Sequence, residues 1–214
     1  MNRAAVLIGV RDTGGLPRLQ TVYDGITMMR NWAESQGIVG DSLVILTDEQ
    51  QPVSADKVLD AISSLARALT YDQLVIYYSG HGLNLGQCEY WLLSDFPQDS
   101  RTIINLAASI ERARTGTIPH VVFISDACRT PATTIIQQVA AMSGGAMSIF
   151  PNPTTGSVGK FKAVDVFYAT VLGRPSLEVL DDQDGERSYR GIYTEALVDA
   201  LNGKPPMQPD PLPA

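Results

Sequence analysis

The stretch VVFISDACRT, residues 121–130, joins a predicted buried strand to a cluster of polar residues. Residues 121–125 are almost entirely apolar, which is typical of a strand covered on both faces in a parallel sheet. Asp126, Cys128 and Arg129 follow at once. Because parallel sheets place their ligand sites at the carboxyl ends of the strands, this cluster stands where a functional site is expected. The stretch therefore predicts an α/β fold and indicates which end of its sheet carries the chemistry.

Apolar runs and amphipathic stretches alternate along the rest of the chain. The runs predict buried strands, and apolar residues at helical spacing predict helices between them. The predicted strands are residues 4–10, 43–46, 74–78, 90–93, 120–125 and 164–170, and the predicted helices include residues 18–35, 133–141 and 192–201. Strands that alternate with helices favour a mostly parallel sheet with helices on both faces.

The composition favours one compact globular domain, with 214 residues, 44% hydrophobic residues and 18% charged residues. A net charge of −7 argues against nucleic acid as a partner, because phosphate binding needs clustered Lys and Arg. No apolar run approaches the ~20 residues of a membrane span, and no signal-peptide pattern is present. The two cysteines are too few for a disulfide framework. We therefore expect a cytoplasmic protein with reduced thiols and no membrane partner.

A second predicted strand also ends in a polar cluster, SGHG at residues 79–82. The carboxyl ends of parallel strands lie on one side of the sheet, so His81 and Cys128 can face each other across a cleft. The thiolate is the nucleophilic form of cysteine, and a neighbouring imidazole can take the proton or stabilise the anion. The backbone N–H groups of Gly82 and Cys128 can polarise a carbonyl under attack. This pattern predicts a Cys–His pair for nucleophilic catalysis.

Each residue of the pattern also has a structural interpretation, with Cys128 as a small buried hydrophobe and Asp126 as a helix cap. A zinc site would have to use His81, Cys88, His120 and Cys128. The short paired spacing of zinc ligands is missing, and His120 begins its strand on the order of 25 Å from Cys128. Nucleotide binding would need a Rossmann or P-loop glycine pattern after the first strand. The sequence there, GVRDTGGLPR at residues 9–18, has neither pattern. The joint placement of the polar residues at strand ends favours a nucleophilic site.

Two of these segments, YYSGHG at residues 77–82 and DACR at residues 126–129, resemble the His and Cys motifs of caspase-like cysteine peptidases. This clan comprises caspases, metacaspases and bacterial relatives, and the likeness is greatest to the bacterial metacaspase-like and caspase-like proteases. It implies a three-layer α/β sandwich around a mostly parallel sheet of about six strands. It also implies an endopeptidase in which Cys128 forms a thioester with the substrate and His81 is the general acid and base. The backbone amides of Gly82 and Cys128 would form the oxyanion hole.

The resemblance also implies a substrate preference. Metacaspases cut after Arg or Lys and carry an acidic residue two positions before the nucleophile, which is Asp126 here. Asp24 and Ser79 match two further positions of the pocket that receives the residue before the scissile bond, the specificity pocket. Carboxylates in that pocket favour a guanidinium or ammonium group. We therefore expect protein substrates to be cleaved after Arg, then Lys; for Asp24, a solvated surface position is the alternative.

The resemblance divides one peptidase domain, residues 1–203, into a large-subunit-like half, a flexible loop and a small-subunit-like half (1–142, 143–162 and 163–203). Lys160 and Lys162 in the loop suit self-cleavage by an enzyme specific for basic residues, with an ordinary flexible loop as the equal alternative. The proline-rich residues 204–214 are interpreted as a tail or a linker. A regulatory protein and a C-terminal effector domain are the further partners that this organisation suggests.

No residue pattern in the chain requires a cofactor. Some metacaspases need calcium, and the run DDQDGER at residues 181–187 is acidic. It does not fit an EF-hand, because the first ligand position would be Leu180. A calcium site and a solvated turn are therefore the two interpretations of this run. The alternative function is a catalytically silent caspase-like module for binding or scaffolding, against which the presence of both His81 and Cys128 argues.

Overall fold

A computed structural model describes residues 1–85, 88–97, 102–129, 147–151, 162–174, 176, 178–183 and 186–205. Side chains are described at all of these positions except 179–183 and 186–188. The predicted helix at 133–141 and residues 206–214 of the predicted tail lie outside the described residues.

The described strands and helices alternate up to residue 80 as the sequence predicts, whereas later in the chain several strands follow one another in the element order. The strands are β1 (Arg3–Gly9), β2 (Leu43–Thr47), β3 (Gln73–Gly80), β4 (Gly82–Leu85), β5 (Cys88–Leu92), β6 (Ile103–Asn105), β7 (His120–Ala127), β8 (Ala163–Tyr168), β9 (Glu178–Gln183) and β10 (Glu186–Gly191). The helices are α1 (Val22–Ser35), α2 (Ala55–Ala68), α3 (Leu106–Arg114) and α4 (Ile192–Leu201), and a 3-10 turn spans Gly40–Ser42. None of these helices combines the length and apolar character that a bilayer span needs.

The central sheet has the strand order β2-β1-β3-β7-β8, and every neighbouring pair in it is parallel. This confirms the predicted mostly parallel α/β sheet. The described residues supply five strands to it, against the predicted number of about six. The run at residues 90–93 accounts for the difference, because β5 belongs to a separate antiparallel sheet, β4-β5-β6.

Helices cover both faces of the central sheet, which confirms the predicted three-layer arrangement. Val58 and Ile62 of α2 pack on one face, together with α3. Ile26 and Met29 of α1 pack on the other face, together with α4. Fully burying a side chain of this kind contributes roughly 1.5–3 kcal/mol, so the two apolar layers hold the strands in place. The carboxyl ends of β3 and β7 carry the site described below.

Part of the predicted flexible loop, 143–162, is packed into the structure. Met147 exchanges backbone hydrogen bonds with the β6 region, where its N–H donates to the Ile103 carbonyl at 2.8 Å. Ile149 and Phe150 are buried, and the Phe150 ring lies 5.9 Å from that of Phe123. Residues 147–151 of the predicted flexible loop thus contribute two apolar side chains to the core.

Candidate active site

The two polar clusters are brought together by the pairing of β3 with β7. The register places Ser79 beside Asp126 and Gly80 beside Ala127. Both strands run past the ends predicted for them, so Asp126 lies within β7 and its side chain direction is fixed by the strand. Gly82 lies so close to the end of β7 that a Cβ there would be 2.5 Å from the Cys128 carbonyl oxygen. Only glycine fits at that position.

His81 is oriented through its ring nitrogen and its backbone. Its Nε2 atom lies 2.7 Å from the Pro17 carbonyl oxygen, which can only accept a hydrogen bond. Nε2 therefore carries the ring proton, and Nδ1 is left to accept one. The His81 carbonyl in turn accepts from the Tyr78 hydroxyl at 2.8 Å and from the Leu92 N–H at 2.9 Å. Sequence patterns do not indicate Pro17, because every residue type supplies a backbone carbonyl.

Cys128 follows β7 directly and is half-buried. Its thiol donates to the Ser176 carbonyl at 3.8 Å. Burial raises the pKa of the Cys128 thiol, and the negative charges of Asp126 and Glu178 add to this effect. The protonated thiol is therefore the resting form, and attack on a substrate needs a base to take its proton.

A narrow cavity beside Cys128 is lined by Ser79, Asp126, Ser176 and Glu178 among others. Its volume of about 30 Å³ has space for about two water molecules. An arginine side chain is larger than this space, so the walls have to move apart for such a group to enter. Two carboxylates in one cavity give it a strongly negative lining.

Asp126 is held by hydroxyl groups alone. Its Oδ2 atom accepts from the Thr194 hydroxyl at 2.6 Å and from the Tyr77 hydroxyl at 3.4 Å, and its Oδ1 atom accepts from the Ser176 hydroxyl at 2.9 Å. Burial raises the pKa of Asp126, and these hydrogen bonds oppose the rise. Within the described part of the chain, no Lys, Arg or His forms a salt bridge with it.

Glu178 is the second carboxylate of the cavity and was not predicted. Its Oε1 atom accepts from the Thr21 N–H and the Thr21 hydroxyl, both at 2.8 Å, and from the Gln20 N–H at 2.9 Å. The carboxylate thus caps the amino end of α1, where the helix dipole favours a negative charge. Glu178 also has no salt-bridge partner among the described side chains.

The Peptidase C14 family model, whose description is caspase domain, matches residues 2–209. The chain belongs to the caspase-domain peptidase family. At the level of the family it is a cysteine peptidase, a hydrolase of peptide bonds. The predicted caspase-like membership is confirmed.

Solved caspase structures share the fold of this caspase domain. Caspase-1 from Spodoptera frugiperda superposes with a TM-score of 0.58 at 12% identity, over 94% of this chain and 71% of that chain. The Drosophila initiator caspase Dronc superposes with a TM-score of 0.54 at 11% identity, over 93% of this chain and 64% of that chain. At such identities the likeness shows the fold alone. A comparison with curated proteins gave no match.

The caspase domain brings together only some of the predicted pocket and cleavage residues. Ser79 is buried and lines the cavity. Asp24 lies on the exposed side of α1 and does not line the cavity. Lys160 lies outside the described residues. Lys162 precedes β8 directly, and its N–H donates to the Arg114 carbonyl at 2.9 Å, so cleavage after it would fall at the start of a sheet strand.

Arg129, the last residue of the DACR motif, points to the opposite face of the sheet from Cys128. Its Nε atom donates to a carboxylate oxygen of Glu89 at 2.8 Å, and Glu89 is 3% exposed. The guanidinium carbon lies 3.9 Å from the centre of the Tyr168 ring. The other Glu89 oxygen accepts from the Ser125 hydroxyl at 2.8 Å, and Ser125 accepts from the Trp91 indole at 2.9 Å. Arg129 thus links the segment after β7 to β5 and β8 in the caspase domain.

The residues weighed for a zinc site do not come together as a metal-binding group among the described residues. His120 begins β7, at the opposite end of the strand from Cys128, and contacts Gln73 and Asp165 at 2.9 and 2.8 Å. Across the described ranges, no group of three or more His, Cys, Asp or Glu side chains is placed to hold a metal. The acidic run at residues 181–187 falls in the β9–β10 hairpin, where Asp184 and the neighbouring side chains lie outside the description.

Proposed function

We propose that this caspase domain is an endopeptidase of metacaspase-like type that cleaves protein substrates after Arg and, more slowly, after Lys. The observation that carries the proposal is the cavity beside Cys128, which holds two carboxylates, Asp126 and Glu178. Neither has a cationic partner among the described residues. An Arg side chain can supply the missing positive charge with charge-assisted hydrogen bonds, whereas an Asp side chain would add a third negative charge.

The proposed reaction begins when Nδ1 of His81 takes the proton of the Cys128 thiol as the sulfur attacks the scissile carbonyl. The Pro17 carbonyl keeps the other ring nitrogen protonated, which makes Nδ1 the basic atom. The backbone N–H groups of Gly82 and Cys128 would stabilise the oxyanion. The tetrahedral adduct then breaks its C–N bond, and His81 gives the proton to the departing amine, which leaves a thioester on Cys128.

Hydrolysis of the thioester completes the cycle. His81, now neutral, takes a proton from a water molecule that attacks the thioester carbonyl. Collapse of the second adduct breaks the C–S bond and releases the acid product, and the proton returns to the sulfur. The chemistry uses no cofactor, and the proposal includes a cytoplasmic location for the enzyme.

The test is turnover of four fluorogenic peptides that differ only in the residue before the scissile bond: Arg, Lys, Asp or citrulline. Citrulline has the shape of Arg without its charge. We expect the order Arg, Lys, then the two others. Cys128→Ala and His81→Ala should each lower the Arg rate on the order of 10⁴-fold or more. Faster turnover of the Asp peptide would overturn the specificity, and proteome digests identical for the chain and Cys128→Ala would favour the silent scaffold.

A further inference from the structure

Thr194 holds an unusual position on α4. The helix reads IYTEALVDAL and is largely apolar, yet Thr194 alone among its residues is fully buried, with 1% exposure. A buried hydroxyl costs free energy unless it is hydrogen-bonded. Its partner is the Oδ2 atom of Asp126, at 2.6 Å. The buried hydroxyl of α4 therefore contacts the carboxylate of the proposed specificity pocket.

A second buried hydroxyl, that of Tyr77, is hydrogen-bonded to Thr194. The Tyr77 hydroxyl lies 2.6 Å from Oγ1 of Thr194, and Tyr77 is fully buried. An ionised carboxylate only accepts, so Thr194 gives its single proton to Asp126. Thr194 then accepts from Tyr77, whose one proton is shared between Oγ1 of Thr194 at 2.6 Å and the more distant Oδ2 of Asp126 at 3.4 Å. Gly25 leaves the space for this hydroxyl, because a Cβ there would lie 2.8 Å from it. The donors therefore form a chain in which each hydrogen bond strengthens the next.

We propose that Thr194 is a positioning residue that keeps the Asp126 carboxylate ionised and turned toward the cavity for the basic side chain of a substrate. The inference rests on the proposed function. Thr194 and Tyr77 do not line the cavity, whereas Ser176 does. The substrate can thus replace Ser176 at Oδ1 of Asp126, while Thr194 stays at Oδ2.

The charges around Asp126 explain why it needs this support. The titratable groups that face it come from four parts of the chain: Tyr77 of β3, Cys128 after β7, Glu178 of β9 and Tyr193 of α4. Burial raises the pKa of Asp126 and the charge of Glu178 adds to the rise, while the hydrogen bond from Thr194 opposes it. Loss of the Thr194 hydroxyl therefore leaves Asp126 protonated up to a higher pH.

The test compares Thr194→Val, which removes the hydroxyl and keeps the shape, with Thr194→Ser, which keeps the hydroxyl. The pH dependence of kcat/KM on the Arg peptide reports the free enzyme, and that of kcat reports the complex. With Thr194→Val we expect the acid limb of kcat/KM to move up by about one pH unit. The acid limb of kcat should stay, because bound Arg keeps Asp126 ionised. Thr194→Ser should match the unmodified chain.

The citrulline peptide separates this role from a general structural one, because a neutral side chain does not need an ionised Asp126. Its profile should be the same for the unmodified chain and for Thr194→Val. An unmoved Arg profile in folded Thr194→Val, or an equal shift with citrulline, overturns the inference. Tyr77→Phe should move the Arg profile in the same direction by less, and it decides the matter where Thr194→Val does not fold. A chain that does not prefer Arg to citrulline contradicts the proposed function instead.

Discussion

Two carboxylates lie near Cys128 on opposite faces of the sheet, Glu89 buried and Asp126 half-buried, and their charges are satisfied in different ways. Glu89 is paired with the Arg129 guanidinium, which also lies against Tyr168. Asp126 accepts hydrogen bonds from three hydroxyls and has no cation among the described residues. Strand alternation produces the difference, because Ser125 and Arg129 point to one face while Asp126 and Cys128 point to the other.

The two carboxylates differ in how the fold balances their charge. A buried carboxylate with its own cation has its charge balanced within the fold. A buried carboxylate without one raises the free energy of the folded state, and a cationic ligand can lower it again. The Glu89 face thus stabilises the end of β7, and under the proposed function the Asp126 face is left available for the basic side chain of a substrate.

The largest effect is expected from a substitution that breaks the Arg129–Glu89 ion pair. Arg129→Met leaves Glu89 buried without its cation, so the free energy of unfolding should fall by about 3–5 kcal/mol. Urea unfolding followed by tryptophan fluorescence measures this. The double variant Arg129→Met/Glu89→Leu removes both charges and should recover most of the loss. A single variant as stable as the unmodified chain would contradict the role of the pair.

Asp126→Asn should lower activity and leave stability intact, whereas Arg129→Met should lower stability. The substitution at Asp126 removes a charge with no described cation, so stability should not fall, while kcat/KM on the Arg peptide should drop by the equivalent of about 2–5 kcal/mol. Turnover of the citrulline peptide should change little. Urea unfolding and the two peptide assays, done on the same preparation, check both halves. A loss of stability like that of Arg129→Met would mean that the two carboxylates have the same role.

The thiol gives a more sensitive comparison of the two faces. The charge of Asp126 contributes to the raised pKa of Cys128, so Asp126→Asn should lower that pKa and speed alkylation by iodoacetamide below it. In a Cys88→Ser background, Cys128 is the one thiol left to react. Glu89→Gln is the matched control on the other face and should leave the pH profile in place. Equal shifts in the two variants would show that the faces are not electrically separate.

The smallest effect is expected at Asp24. The resemblance to metacaspases places it in the specificity pocket, but it lies on the exposed side of α1. Asp24→Asn should therefore change kcat/KM on the Arg peptide by no more than about twofold. A loss of kcat/KM as large as that of Asp126→Asn would instead mean that Asp24 contributes to the specificity pocket.

The sequence was sufficient for the features that depend on local pattern. Apolar runs located β3 and β7, and parallel pairing then implied that His81 and Cys128 end on the same side of the sheet. The features that depend on contacts between distant segments were missed. Glu178 lies in a hairpin whose sequence resembles a solvated turn, and the Arg129–Glu89 pair joins two sheets. Asp24 was placed by family likeness, although its helical position faces solvent.

The contact between Asp126 and α4 can form only after the ribosome has synthesised both segments. Thr194 lies 68 residues after Asp126 in the chain. At 5–20 residues per second, a ribosome needs roughly 3–14 seconds to reach it after Asp126. During that interval the nascent chain already contains Cys128 and His81 but lacks the helix that holds the neighbouring carboxylate. Under the proposed function, the ribosome therefore synthesises the nucleophile before the helix that positions the carboxylate of the specificity pocket.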